Sequence, residues 1–370
     1  MGGRRDSGGR KSKGTGRSTE QAVVIDLDNL ARYRYLSFAW FVRMAVAWLV
    51  GRDLFEDTLD LGSINNILTK AIEETKALKL NKEKRNKIIN NLQDSKPINL
   101  HVREHFMDWE VKEHTRMFGG RGKEVRKFFK ARPYVFGLHL LGRELTRIHG
   151  DVYLFIEPHI YLIELSLSLN NYREFYNSIR DLVREYERRR ANKEEKNISE
   201  TAFLTTLAGL IINNLRRYGV RTCMIRELVG NPCKKSQTNT GKERGENEEE
   251  GISGNAFVLY RVDNDKGITP LDLTNLVRRI LELERMGLSV SRTLAGLADR
   301  FVNSRRGGVI DLINTVGDAM FKYTITGDLG YIYNMIRTVT TSEDYAEVRD
   351  SLLGVGGDSE EGDSEGLGTV

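Results

Sequence analysis

The sequence predicts a mainly α-helical protein: a multi-helix N-terminal domain with a small antiparallel β element, followed by a C-terminal helical bundle. Three observations point there. Apolar residues recur at helical spacing over most of the 370 residues, as at Ile64, Ile67, Leu68, Ala71 and Ile72. Extended character is confined to short stretches, among them Val152–Ile156 and Ala256–Val262. From Thr269 onward, glycines at 287, 307, 308 and 327 separate periods that are all helical.

Ala22 to Leu27 reads either as a short strand or as the lead into the next helix. Leu30 to Val50 reads as one long helix, and its window from Leu36 is apolar on nearly every side, which belongs at the centre of a helical assembly. Arg43 interrupts that window and it is short of a membrane span, so a buried helix is expected and no membrane partner. Ser63 to Leu80 is a second helix with Ser63 as its cap. Asn81 to Asp94 keeps helical period, is highly charged and stops before Pro97, which predicts an exposed helical hairpin. His101 to Met117 is polar and helical, and Tyr134 to His149 resumes a helix after Pro133. Pro158 opens an apolar helix closed by Asn170 and Asn171; Tyr172 to Arg190 follows as an amphipathic one. Ser199 caps a helix that runs through Leu215 and stops near Gly219. Val220–Val229 and Ala256–Val262 then read as an antiparallel strand pair, with Asp263, Asn264 and Asp265 as turn residues. The bundle comprises Pro270–Met286, Ser291–Asn303, Val309–Tyr323, Leu329–Val339 and Ser342–Leu353.

Composition sets the boundaries. Apolar residues at 39% and charged residues at 29% describe a globular chain long enough for a real core. The formal charge of +5 is modest, but it is unevenly placed. The first seventeen residues hold six cations and one acid, and residues 356–366 hold five acids and no base. Residues 1–20 and 356–370 are therefore expected as disordered basic and acidic tails. Between them, 21–265 forms the mostly helical domain, interrupted by a disordered loop at 231–254, and 266–355 forms the bundle. Cys223 and Cys233 are separated by nine residues, which suits neither a zinc knuckle nor a redox pair. Reduced thiols and a cytoplasmic location are expected, in keeping with the lack of an apolar leader behind the N-terminus. Three glutamines against abundant Arg, Glu and Lys point to a thermophile, an archaeon.

The stretch from Arg116 to Tyr134 concentrates the chemistry. It carries Arg116, Arg121, Lys123, Arg126, Lys127, Lys130 and Arg132 against the single acid Glu124, with Phe118, Phe128, Phe129 and Tyr134 among them. Cations neutralise phosphates, rings stack on flat groups, and the glycines at 119, 120 and 122 let backbone approach a ligand closely. Lys123, Arg126, Lys127 and Lys130 fall at helical spacing, so one basic face is expected there. The solvated face of an ordinary helix is the plain alternative. Paired arginines recur at Arg216-Arg217, Arg278-Arg279 and Arg305-Arg306, and each pair by itself is a solvated helix end. Together with the central stretch they offer a discontinuous track for a nucleic-acid backbone, RNA or DNA.

All six histidines lie between 101 and 159. His101, Glu104 and His105 match the H-x-x-E-H zinc pattern, with Glu185 or Glu187 as the further ligand it would need; an exposed polar helix turn explains them more simply. Arg143 and His149, five residues apart in the intervening count, resemble the R-x(4–6)-H motif of the all-helical HEPN ribonucleases. That resemblance implies Arg143 on the scissile phosphate and His149 as acid or base. Glu144, directly after the arginine, would oppose it. Asp26 and Asp28 lack a companion motif, and phosphate loops, dinucleotide fingerprints and nucleophile elbows are absent, so no cofactor and no metal are expected.

The segment Ile156–Tyr186, with NNYREFYNSIRDLV at its core, and the closing helices DRFVNSRRGGVIDLINTVGDAM and GDLGYIYNMIRTV are similar to the large subunit of archaeal type I-A CRISPR Cascade. The resemblance implies a non-catalytic, nucleic-acid-binding role beside other subunits of a ribonucleoprotein, holding crRNA and target DNA while a separate nuclease cuts. It carries no residue over by position.

Overall fold

The computed structural model describes residues 23–34, 37–55, 61–99, 129–157, 169–192, 197–230, 256–263, 267–303, 307–341 and 346–354. Val23–Ile25 is a strand, β1. A 3-10 helix follows over Leu27–Tyr33, held at its start by a capping box between Asp26 and Asn29. The apolar window then forms helix α1, Ser37–Val50, with ten buried residues. The single long helix expected from Leu30 is thus two pieces. Helix α2 spans Leu61–Ala77, two residues ahead of the expected Ser63 cap, which falls inside it. Helix α3, Lys82–Gln93, is capped by Asn81, whose side chain accepts from the Lys84 N–H at 2.8 Å.

Strands β2 (Ile98–Asn99) and β3 (Phe129–Ala131) complete a three-stranded sheet of order β1-β3-β2, with β1 parallel and β2 antiparallel to β3. Helix α4, Pro133–Thr146, packs between α1 and α3. At Gly142 an added Cβ would stand 1.9 Å from the Phe41 carbonyl oxygen, and at Gly137 one would stand 2.8 Å from Leu92. These absent side chains set how closely the helices cross. Ile88 and Leu92 of α3 are buried by this packing, so the charged hairpin is exposed on one side only.

The second sheet is antiparallel, as expected, but its membership differs. Strands β4 (Arg147–His149), β5 (Val152–Ile156), β6 (Phe257–Asp263) and β7 (Gly267–Asp272) follow in that order. Between β5 and β6 lie α5 (Leu169–Ala191), α6 (Glu200–Arg217, capped by Ser199) and α7 (Thr222–Leu228). The expected strand at Val220–Val229 is therefore α7, and β6 pairs with β5 and β7. Pro270 sits in β7 rather than opening a helix; β7 is an edge strand, where a residue without an N–H is tolerated. Helices α8 (Thr274–Arg285), α9 (Val290–Asn303), α10 (Gly307–Thr326), α11 (Gly330–Thr341) and α12 (Ala346–Leu353) close the chain. Gly307 and Gly308 begin α10 instead of separating helices.

Apolar residues gather in two clusters. One holds β1, the 3-10 helix and α1 to α4. The other runs from Phe41 to Leu352 and includes β5, β6, α5, α6 and the last five helices, so the expected boundary near 265 lies within its span. Helix α6 is its axis: it packs against α9 and α10, with Leu294 and Ala202 filling the space that a side chain on Gly209 or Gly317 would need. Between the clusters, buried Arg43 bonds Asp53 through Nε at 2.6 Å and meets Glu157 at 2.5 Å, both carboxylates being buried as well. Cys223 is disulfide-bonded, which corrects the expectation of reduced thiols. The spacing rules out a zinc knuckle and a redox pair, but a single crosslink needs neither. No helix among the described residues is long and apolar enough to cross a membrane.

Candidate nucleic-acid interface

Of the central basic stretch, Arg116, Phe118, Arg121, Lys123, Arg126 and Lys127 lie outside the described residues, as do Arg305 and Arg306, the His101–His105 motif, the segment 158–168, the 231–254 loop and both tails. Lys130 and Arg132 are described. Lys130 occupies the central strand β3, opposite Val24 and Asn99, so the helical face expected to end there does not reach it. Strand pairing on both sides overrides the helical spacing of the cations. Arg132 is exposed but turns its Nε to Asp26 at 3.3 Å, and the Tyr134 hydroxyl donates to the same carboxylate. Burial, followed by the hydrogen bond to Asp26, drives the Tyr134 phenol far above its ordinary range. An internal acid therefore offsets the Arg132 charge.

One arginine of each described pair is likewise engaged. Arg216 donates to Thr222 at 3.0 Å, to Ser291 at 3.0 Å and to Glu284 at 2.6 Å. Arg279 pairs with Glu282 at 2.6 Å and lies over the Tyr323 ring. Glu185 is bound by Arg188 and Arg189, both at 2.7 Å, and Arg261 takes Glu187 at 3.1 Å and Glu200 at 2.6 Å. Both suggested zinc carboxylates are thus ion-paired, and the described residues hold no group of three His, Cys, Asp or Glu that could bind a metal.

One concave site was not legible as a unit in the sequence. A pocket of about 640 Å³ opens between the α2–α3 corner, the end of α4, the β4–β5 turn and the middle of α5. Among the described residues its lining carries Lys79, Arg147, His149, Asn177 and Arg180, the apolar Ala77, Leu78, Leu80 and Ile148, and one acid, Glu144. Glu144 is already held by Arg147 at 2.9 Å and Lys84 at 3.5 Å. Among the described residues Arg180 is held by neutral acceptors, the Asn177 side chain at 2.8 Å and the Arg147 carbonyl at 3.3 Å. Its geometry is set and no acid pairs with it among the described residues, the condition in which a guanidinium binds an incoming anion.

His149 lies at the end of β4, not on a helix, and is exposed at the pocket. Arg143 does not line the pocket; its guanidinium lies over the Tyr153 ring and donates to the Tyr153 hydroxyl at 3.0 Å. Arg147 donates to the same hydroxyl at 3.1 Å. The helix-borne pair Arg143 and His149 is thereby separated, and His149 gains Arg147 and Arg180 as neighbours in the pocket. Arg147 lies between Arg143 and His149 in the sequence; Arg180 and Lys79 carried no signal beyond ordinary charge on a helix face and a corner. Compared with known proteins, the chain matches no family model, no curated protein and no solved structure.

Proposed function

We propose that the chain is a non-catalytic nucleic-acid-binding subunit of a CRISPR-type ribonucleoprotein effector complex, acting in antiviral defence by holding the phosphate backbone of crRNA or target DNA. The observation that carries the binding part is the pocket in which Lys79, Arg147 and Arg180 outnumber one already paired acid. Apolar lining beside these cations suits a nucleotide, which presents a phosphate and a flat base together. The assignment to a ribonucleoprotein rests on the likeness of Ile156–Tyr186 and the closing helices to a Cascade large subunit. A cytoplasmic location belongs to the same reading, and a disulfide is compatible with the cytoplasm of a hyperthermophile.

Anisotropy of a labelled single-stranded oligonucleotide, titrated with the protein at several salt concentrations, tests the binding part. Affinity is expected to fall steeply as salt rises. Affinity independent of salt, or no binding at low salt, overturns it.

A second reading is favoured by the exposure of His149 beside two guanidiniums: cleavage of RNA with His149 as acid or base. Phosphate contact would then come from Arg147 and Arg180 rather than Arg143. Labelled RNA cut by the natural chain and left whole by His149→Ala would establish this reading, and RNA left whole by both removes it.

A further inference from the structure

Positive charge does not stop at the rim of the pocket. From Lys79 to Lys87, across the corner between α2 and α3, the chain holds five cations and one acid, Glu83. Printed contacts tie three of these cations to the pocket. Lys79 lines it, Lys84 Nζ reaches the Glu144 carboxylate at 3.5 Å, and the Arg85 guanidinium donates to the carbonyl of Leu80, a lining residue, at 3.2 Å.

Helix α3 sorts the charges by side. Ile88 and Leu92 bury one side of the helix against α4, and Lys84, one turn before Ile88, meets Glu144 from that side. Its charge is thereby answered. Lys82 and Arg85 are three residues apart, so they stand together on one flank, about 4.5 Å apart along the axis. Glu83 and Lys87, four apart, share the far side. The corner therefore presents Lys79, Lys82 and Arg85 together, and no acid pairs with any of the three among the described residues. Lys79 and Lys82 are exposed, and Arg85 is half-buried with its guanidinium anchored on a neutral carbonyl. Cations in this state take up phosphates and release the counterions they held.

We propose that a single strand of nucleic acid with one phosphate in the pocket leaves it past Lys79 and runs over the α2–α3 corner, where Lys82 and Arg85 hold the phosphates that follow. The ligand is then an oligonucleotide whose footprint spans several phosphates, rather than a free nucleotide. This rests on the reading of the pocket at Arg147 and Arg180 as a phosphate site.

The test is the salt dependence of binding of a fluorescein-labelled decathymidylate, followed by anisotropy with the full chain. The variants are Lys82→Gln, Lys82→Gln with Arg85→Gln, and Lys87→Gln, which removes the same charge from the far side of the same helix. Each lost phosphate contact lowers the slope of log affinity against log salt by about 0.7, so Lys82→Gln is expected to lower it by about 0.7 and the double variant by about 1.4. Lys87→Gln is expected to leave the slope at the natural value. A steep natural slope that Lys82→Gln leaves unchanged, or that Lys87→Gln lowers as much as Lys82→Gln does, overturns the proposal and leaves the pocket reading standing. A natural chain that binds the decamer without salt dependence, or not at all, overturns both. Circular dichroism that superimposes for all the proteins shows that the fold is kept, and Lys82→Gln, at an exposed side chain, decides the matter should the double variant misfold.

Discussion

At the scale of single residues, the buried ionic group at Arg43 carries the most consequence. Its guanidinium lies over the Phe55 ring and between Asp53 and Glu157. Removing one member of such a group leaves charge without compensation in a dry interior. Arg43→Leu is expected to cost about 3–5 kcal/mol in urea unfolding. In the sequence Arg43 was legible only as an interruption of an apolar helix, because nothing local marks its partners: Asp53 lies in the turn just after α1 and Glu157 just beyond the end of β5. A second residue gives a pH signature. The hydrogen bond from Arg188 first, opposed by burial and joined by the Arg189 bond, holds the Glu185 carboxyl down at about 2, from an ordinary 4.5. A folded-state value below the unfolded one means stability that is fully present above about 4.5 and lost as pH falls toward 2. Glu185→Gln is therefore expected to be less stable than the natural chain at pH 6, with the difference shrinking in unfolding experiments taken down to pH 3.

At the scale of elements, glycines separate close crossings from free surface. Any side chain at Gly142 meets the Phe41 carbonyl, so Gly142→Val forces α4 away from α1 and is expected to cost about 3 kcal/mol. Gly296 lies exposed in α9 with open space around its Cβ direction. There, Gly296→Ala is expected to stabilise by about 0.5–1 kcal/mol, through helix propensity alone. Chemical denaturation of the two variants against the natural chain checks both signs. The helices were readable where apolar period and cap agreed, as at Ser199. Short segments were not, because Thr222–Leu228 has too few residues to show a period, and it buries just Ile225 and Leu228 in the larger apolar cluster. Lys130 shows the same limit in reverse: helical spacing of cations says nothing of a strand that forms by pairing with chain segments on either side.

At the scale of the whole molecule, the helical class followed from period, while the site followed from nothing local. Lys79, Arg147, His149 and Arg180 come from three places, the α2–α3 corner, β4 and α5, and only the fold brings them around one cavity. Charge along the sequence marked instead the residues near Arg132, whose one described guanidinium faces Asp26. The deciding quantity is thus which cations keep an uncompensated charge after folding, and that depends on partners remote in sequence. The most direct measurement is the salt slope of single-stranded oligonucleotide binding for the natural chain and for Arg147→Gln with Arg180→Gln. Each lost phosphate contact lowers the slope by about 0.7, so the double variant is expected to show a slope smaller by about 1.4 and weaker binding at every salt concentration. Identical slopes and affinities for the two proteins would contradict a backbone-binding role for this pocket.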